Sequence, residues 1–366
     1  MEFINQIEPW YGQEEKKAVA DYLNSGGWLM EFKKTQEFEG MIAKFVGAKY
    51  CSVVSNGTAS LFIALNALGI GQGDEVIVPD ETISATPNAV ILAGAKPVFV
   101  DIDKESLCIN PDLIKKAITR KTKAVIHVSL NGRAGRLKKI RRLCKERNIY
   151  LIEDAAQSLG SFYGGKHLGT WGEIGCFSFS MPKIITTGQG GALITNSKKL
   201  YQKFLRIKNF GRRRGGEDWY VSLGWNFKFT DIQAVIGIEQ MKKLPWRIKR
   251  KKEIYKLYKN LLEVIPEVKF IDTDLNNVSP CFVDILVPGR EALFGYLKEH
   301  NIGFRPIFPA LHSQPAYLSY NKASQKKDKF PVAQKIAKEG LWLPSSSKLS
   351  DSQIKYICGK IKKFYA

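Results

Sequence analysis

The strongest constraint on the fold is an alternation. Between residues 50 and 200, short β-rich runs recur at Glu75–Pro79 (EVIVP), 97–101 (PVFVD), 123–130 (KAVIHVSL) and 149–154 (IYLIED). Helix-like segments at 85–95, 111–119 and 137–147 separate them. This spacing predicts a mostly parallel sheet joined by right-handed helical crossovers. The runs are apolar on both faces, as a sheet covered by helices on two sides requires. Two more runs follow, 175–180 (GCFSFS) and Gly191–Thr195 (GALIT), and only the ten residues MPKIITTGQG lie between them. That is too short for a helical crossover, so a loop is predicted, and it holds a single lysine, Lys183.

The pattern from 230 to 258 is helical, with Ile232, Val235, Ile236, Ile238 and Met241 on one side. Pro245 should interrupt its basic continuation over 242–259 and mark the link to a second domain. Beyond Pro266 an α+β pattern is expected: a strand near 281–287, helices near 290–300, 332–339 and 350–364, and a Pro-rich loop over 305–317. The predicted division is a large domain over 1–245, including an N-terminal segment, and a smaller α+β domain over 246–366.

Charge and cysteine usage narrow the function classes. The chain has 366 residues, with 56 Lys or Arg against 35 Asp or Glu, a net charge of +21. Such a balance suits a nucleic-acid binder or an enzyme that steers an anionic substrate. No helix-turn-helix, zinc-finger or RNA-binding signature is present, which disfavours the first. The basic cluster at Lys138, Lys139, Arg141, Arg142, Lys145 and Arg147 reads as the solvated face of a helix whose apolar side is Leu137, Ile140, Leu143 and Cys144. Six cysteines without a C-x-x-C pair argue against a zinc ribbon or a disulfide framework. Buried thiols in a reducing cytoplasm are expected, with no metal site. No apolar run reaches ~18 residues, so no membrane span is expected. The start, MEFINQIEPW, does not read as a secretion signal.

Three segments carry chemistry. Ser55 to Ser60 (SNGTAS) opens an apolar helical stretch, so its backbone N–H groups suit a phosphate, although Asn56 or Thr58 could serve only as an N-cap. Glu153-Asp154-Ala155-Ala156-Gln157 lies at the carboxyl end of a predicted parallel strand, where open α/β sheets bind ligands. Its carboxylate either caps the next helix or faces a protonated heterocyclic nitrogen. Lys183, between two buried strands and close to Ser178 and a Gly-rich turn, sits where desolvation makes an amine nucleophilic. A phosphate cradle, a carboxylate and an imine-forming amine are what pyridoxal phosphate requires.

The runs SNGTAS, GDEVIVP, GAKPVFVDID, IEDAAQSLGS, GCFSFSMPKIITTGQGG, GWNFKFTDIQAVIG, FRPIFPALHSQPAY and LPSS stand in an order that resembles the DegT/DnrJ/EryC1/StrS sugar aminotransferases over essentially the whole chain. The run KIITTGQGG is most similar to the branch of that family that aminates carbon 4 of GDP-4-keto-6-deoxymannose. The resemblance implies an α/β fold of the aspartate-aminotransferase type (fold type I), a pyridoxal 5′-phosphate cofactor, L-glutamate as amino donor, and a homodimer with shared active sites. It implies Lys183 as the Schiff-base lysine, Asp154 on the pyridine nitrogen and Gln157 near the phenolic oxygen. Gly57, Thr58 and Ser178 would take the phosphate, with Asn226 arriving from the neighbouring subunit. Arg305 and His312, in the Pro-rich loop, would line the sugar-nucleotide site together with Lys228.

Four departures bear on the substrate. Ile83 stands where relatives place an aromatic ring over the cofactor, which removes stacking worth ~0.5–1.5 kcal/mol. Ser129-Leu130-Asn131-Gly132 replaces H-L-Y-G, Gln189 replaces Glu, and Lys228 replaces Arg. An aminotransferase acting on a UDP- or dTDP-linked keto sugar, or on a cyclitol ketone, stays open. A dehydratase of the same family ranks lower, because such relatives carry histidine in place of the lysine. A basic, non-catalytic nucleic-acid-binding protein on the same fold ranks lower still, against an intact Lys183, Asp154 and Ser178 set.

Overall fold

The computed structural model describes residues 2–324 and 330–366. The N-terminal part contributes α1 (Gln13–Asn24) and α2 (Lys33–Val46), followed by β1 (Tyr50–Val54), α3 (Gly57–Ala67), β2 (Glu75–Pro79), α4 (Ala85–Leu92), β3 (Lys96–Val100), α5 (Pro111–Ala117), β4 (Thr122–Val128), α6 (Leu137–Glu146) and β5 (Tyr150–Asp154). A small hairpin comes next, β6 (Phe162–Tyr163) with β7 (Lys166–His167), and then β8 (Ile174–Ser178), β9 (Gly191–Thr195), α7 (Lys198–Ile207) and α8 (Asp231–Leu262). Seven strands form the main sheet in the order β1-β9-β8-β5-β4-β2-β3. The pairs β8–β5, β5–β4, β4–β2 and β2–β3 are parallel. Only β9 runs against its neighbours β1 and β8. The reversal follows from the short connection expected between the last two runs, and the alternation of strands and helices is as expected.

The C-terminal part holds β10 (Lys269–Phe270), β11 (Val283–Leu286), α9 (Arg290–Glu299), β12 (Arg305–Pro306), α10 (Pro331–Glu339), β13 (Gly340–Leu343) and α11 (Asp351–Tyr365). Its four-stranded antiparallel sheet has the order β10-β11-β13-β12. The chain is thus an α/β protein of fold type I: a mostly parallel main sheet and a smaller α+β unit.

Local chemistry explains the helix that matters most to the site. Asn56 accepts from the Ala59 N–H at 2.8 Å and starts α3, whose apolar residues from Ala59 to Leu65 are buried. On α6, Leu137, Ile140, Leu143 and Cys144 face the core as expected.

The expected interruption at Pro245 does not occur: α8 is one helix of 32 residues with Pro245 inside it. Proline forfeits one backbone bond there; burial on both flanks of that residue outweighs the loss. Ala234, Ile238, Met241 and Leu244 pack with Phe38, Phe179 and Ile185 of the main unit. Ile254, Tyr255, Tyr258 and Leu262 pack with Val283, Ile285 and Ile357 of the smaller one. The limit expected at residue 245 therefore falls inside a helix whose two halves serve two cores. The chain's start joins the second core, with Ile4 bridging to Ile302.

Polar ties between the units include two made by neighbouring residues. The Asn131 side chain donates to the Phe282 carbonyl at 3.0 Å and accepts from its N–H at 2.7 Å. The Arg133 guanidinium pairs with the Asp284 carboxylate, both buried. Among the described residues no helix is long and apolar enough to cross a membrane, and all six cysteines are free and buried.

Candidate active site

Loops leaving the carboxyl ends of β1, β2, β4, β5 and β8 carry the residues of interest, the edge at which open α/β sheets bind ligands. After β1, α3 begins at Gly57. Its first two N–H groups, those of Gly57 and Thr58, precede the reach of intrahelical bonding and remain available to an anion. A Cβ at Gly57 would lie 2.9 Å from the Ser178 Cβ, and one at Gly191 would meet the Asn56 backbone. The end of β8 and the start of α3 are therefore in direct contact, and glycine is what permits it. Among the described residues, Ser178 Oγ donates to the Ser180 hydroxyl at 3.2 Å and accepts from the Ser180 N–H at 3.4 Å. The Gly57 and Thr58 N–H groups and the Ser178 hydroxyl thus stand together at this edge of the sheet.

Asp154 ends β5 and is buried. Its Oδ2 accepts from Thr86 Oγ1 at 2.8 Å and its Oδ1 from the Ala156 N–H at 3.2 Å. Burial pushes its pKa up, against the pull of the Thr86 hydroxyl and the Lys183 charge. A buried carboxylate so placed favours a cation opposite it. Thr86 escaped the sequence reading; it opens α4, and nothing in its local pattern ties it to a residue 68 positions away. Gln157 accepts from the Asn131 N–H at 2.8 Å. The neighbouring Glu153 faces away from this group, onto the N–H groups of Gly169, Trp171 and Gly172; burial raises its pKa to about 7.

The Lys183 loop is braced on every side. Its N–H donates to the Ser180 carbonyl at 3.0 Å. Cys281 Sγ approaches the Pro182 carbonyl at 3.6 Å, Arg247 donates to Ile184, and Gln240 accepts from Thr186. Gly188 adopts φ +79°, a turn suited to glycine. Burial pushes the Lys183 amine down; Cys281 and Asp154 oppose this and Arg305 adds to it. A larger share of the amine is thereby neutral and nucleophilic.

A cavity of about 500 Å³ adjoins this group, lined by Thr82, Ile83, Asn88, Arg305, Phe308 and Tyr317 among others. Ile83 is exposed to it, three residues before Thr86. The Arg305 guanidinium sits 6.0 Å from the Phe308 ring and 5.8 Å from that of Trp342. Among the described residues no carboxylate pairs with it. His312 is not in this lining: its Nδ1 lies 2.6 Å from Asp80 and its ring stacks on Phe330. Asn226 and Lys228 flank Phe227, whose carbonyl accepts from the Ser55 N–H at 3.0 Å, just before the start of α3. Asn226 is exposed and bridges to Asn209. Lys228 sits 4.4 Å from the Phe210 ring centre, its pKa lowered by burial against the pull of Glu31.

Part of the basic run at 247–252 is internal. Arg247 reaches the carbonyls of Ile184 and Trp10, and Lys251 donates to those of Cys281 and Ser345 at 2.6 Å each. These cations brace the Lys183 loop and its surroundings and present no nucleic-acid face.

Asp154 and Lys183 at one sheet edge, beside the open N–H groups of α3, fit the class that the sequence resemblance implies, the pyridoxal-phosphate-dependent aminotransferases of fold type I. The DegT/DnrJ/EryC1/StrS aminotransferase family model matches residues 9–362, and the chain belongs to that family. It is 38% identical over 369 residues to the GDP-perosamine synthase of Escherichia coli O157:H7, covering 100% of both chains. It is 36% identical to the GDP-perosamine synthase of Vibrio cholerae, covering 99% of each. Among solved structures, the aminotransferase TlmJ from Streptoalloteichus hindustanus superposes with a TM-score of 0.92 at 30% identity, covering 98% of each chain.

Proposed function

We propose that this aminotransferase moves an amino group from L-glutamate to carbon 4 of GDP-4-keto-6-deoxymannose, giving GDP-perosamine and 2-oxoglutarate. The observation that carries this reading is the end-to-end similarity to two GDP-perosamine synthases. Bound pyridoxal phosphate supplies the electron sink for a broken carbon–hydrogen bond. The Gly57 and Thr58 N–H groups and the Ser178 hydroxyl would hold its phosphate. Asp154, kept oriented by Thr86, would keep its ring nitrogen protonated. Gln157 would reach its phenolic oxygen, and Ile83 would pack against the ring face.

Lys183 would anchor the cofactor and, once displaced, its neutral Nζ would take the α-proton of glutamate. A base so placed contributes ~10²–10⁴-fold. In the second half-reaction the same amine would return a proton to the sugar carbon. Arg305, without a carboxylate partner among the described residues, would receive the diphosphate. The lining residues of the Pro-rich loop, backed by His312 on Asp80, and Lys228 would complete the sugar-nucleotide site.

We assign the active unit as a homodimer. Trp28, Leu29, Met30, Trp219, Leu223 and Trp225 are exposed, and Met30 bridges to Thr230, five residues beyond Trp225. Large apolar side chains exposed on these two segments suit an association site, which would bring Asn226 to the neighbour's phosphate. Six free thiols support a cytoplasmic location.

The test has two parts. Purified protein should carry a visible absorbance band that borohydride bleaches, and Lys183→Ala should abolish the band and turnover. A panel of GDP-, UDP- and dTDP-linked 4-keto sugars with glutamate, read by mass spectrometry, should yield an amino sugar from the GDP substrate. Turnover by Lys183→Ala would refute the mechanism, and preference for a UDP or dTDP substrate would refute the substrate assignment.

A further inference from the structure

The segment from Arg305 to Tyr317 spans both units. Its start belongs to the small sheet, with Arg305 paired to Trp342 and Pro306 to Leu341. Its end is tied to α4, where Tyr317 Oη donates to Asn88 Oδ1 at 2.7 Å. Its middle is held by one side chain of the large unit. Asp80, fully buried just after β2, accepts from the His312 N–H with Oδ1 at 2.7 Å and faces His312 Nδ1 with Oδ2 at 2.6 Å. The Asp80 carbonyl also accepts from the Leu311 N–H at 3.0 Å. Phe330 stacks on the imidazole at 4.3 Å, and Gln334 approaches its Nε2 at 3.2 Å. Both oxygens of one carboxylate are thus committed to a single residue 232 positions away.

The residues on either side of this latch form the cavity wall. Arg305, Phe308, Leu311, Gln314 and Tyr317 line the same cavity as Ile83. If His312 were released, the middle of the segment would be held to Asp80 by the Leu311 backbone bond alone, and the wall facing Ile83 would be less firmly fixed. A buried, charge-assisted bidentate contact is among the stronger local restraints available to a loop.

We propose that Asp80 is a positioning residue for the substrate cavity, acting through His312 to hold the Arg305–Tyr317 wall against Ile83. The proposal rests on the reading of that cavity as the nucleotide-sugar site only for the identity of the ligand.

Hydrogen exchange and steady-state kinetics test it together. In the cofactor-loaded wild type without substrate, the Leu311 and His312 amides should be protected. In Asp80→Ala they should exchange at least ~10-fold faster, a step expected from loss of a hydrogen bond to a charged group. The KM for the nucleotide sugar should rise by a similar factor, with kcat and the KM for glutamate changing far less. Should Asp80→Ala fold poorly, His312→Ala removes the ring contact while sparing the Leu311 N–H bond, and should reproduce the KM rise. His312→Asn, which keeps a donor near the Nδ1 position, should restore much of both effects. Unchanged exchange in both alanine variants would overturn the latch. Faster exchange with an unchanged KM, or a fall in kcat alone, would overturn the positioning role. If no nucleotide sugar is turned over by the wild type, the exchange result still decides the latch, while the functional reading fails separately.

Discussion

Replacing Thr86 with valine tests how much of the chemistry depends on a residue that supports Asp154 from behind. Thr86 Oγ1 and Asp154 Oδ2 are 2.8 Å apart, and both side chains are buried. Valine has nearly the same shape but no hydroxyl, so Oδ2 loses its donor while Oδ1 keeps the Ala156 N–H at 3.2 Å. A hydrogen bond to a charged group contributes ~1.5–3 kcal/mol. Its loss would push the Asp154 pKa further up, beyond the rise that burial already causes. A less ionised Asp154 no longer holds the ring nitrogen protonated. If the whole loss appears in the barrier, kcat falls ~10–150-fold, at about 1.36 kcal/mol per decade. Because Thr86 is not in contact with either substrate in this reading, KM should move little. The assay is kcat at saturating glutamate and nucleotide sugar, with circular dichroism to verify the fold. Thr86→Ser, which keeps the hydroxyl, should recover most of the rate. A Thr86→Val enzyme within about twofold of wild type in kcat would refute the reasoning.

Two further outcomes are expected. Gly57→Ala places a Cβ 2.9 Å from the Ser178 Cβ; overpacking of that size costs ~1–3 kcal/mol, so the Kd for pyridoxal phosphate should rise ~5–150-fold by absorbance titration. Glu81 is buried with neither carboxyl oxygen hydrogen-bonded, and burial, reinforced by Asp80 and Asp101, holds its pKa well above the usual value. The native state therefore keeps a proton that the unfolded chain gives up above about pH 4.5, and stability falls as pH rises from there. Glu81→Gln removes that penalty, so its Tm advantage over wild type should grow as pH rises above about 4.5. A constant or shrinking difference in a thermal melt would contradict this.

The frame of the molecule was legible because β runs and amphipathic helices leave periodic traces. EVIVP and LKKIRRLCKE declare their elements without help from distant residues, and the short gap before GALIT excluded a helical crossover, which left the direction of that strand to the structure. The helix through Pro245 was not legible: the rule that proline breaks a helix is local, and the packing that overrides it comes from Phe38 on one flank and Ile357 on the other. Helix α1 left little trace, since the only residue it fully buries is Glu15. At the site, the residues with distinctive chemistry, Lys183, Asp154 and Ser178, could be singled out from their positions after strands. Their supports could not. Thr86, Asp80 and Arg247 act through contacts 68, 232 and 63 positions away, and such pairings have no signature in the order of residues. Lys251 and Arg247 read as solvent-facing by type, yet backbone carbonyls from several segments had assembled to receive them.

The long helix α8 has a consequence for how this chain tolerates change in length. Surface loops absorb insertions readily, but here the join between two cores is a rigid rod, anchored by Leu244 at one end and Ile254 at the other. One residue added or removed between those anchors turns everything downstream by about 100° and shifts it ~1.5 Å along the axis. Arg133 would then no longer meet Asp284, nor Asn131 meet Phe282. Substitutions along that stretch are a matter of degree; a change of register is all or nothing.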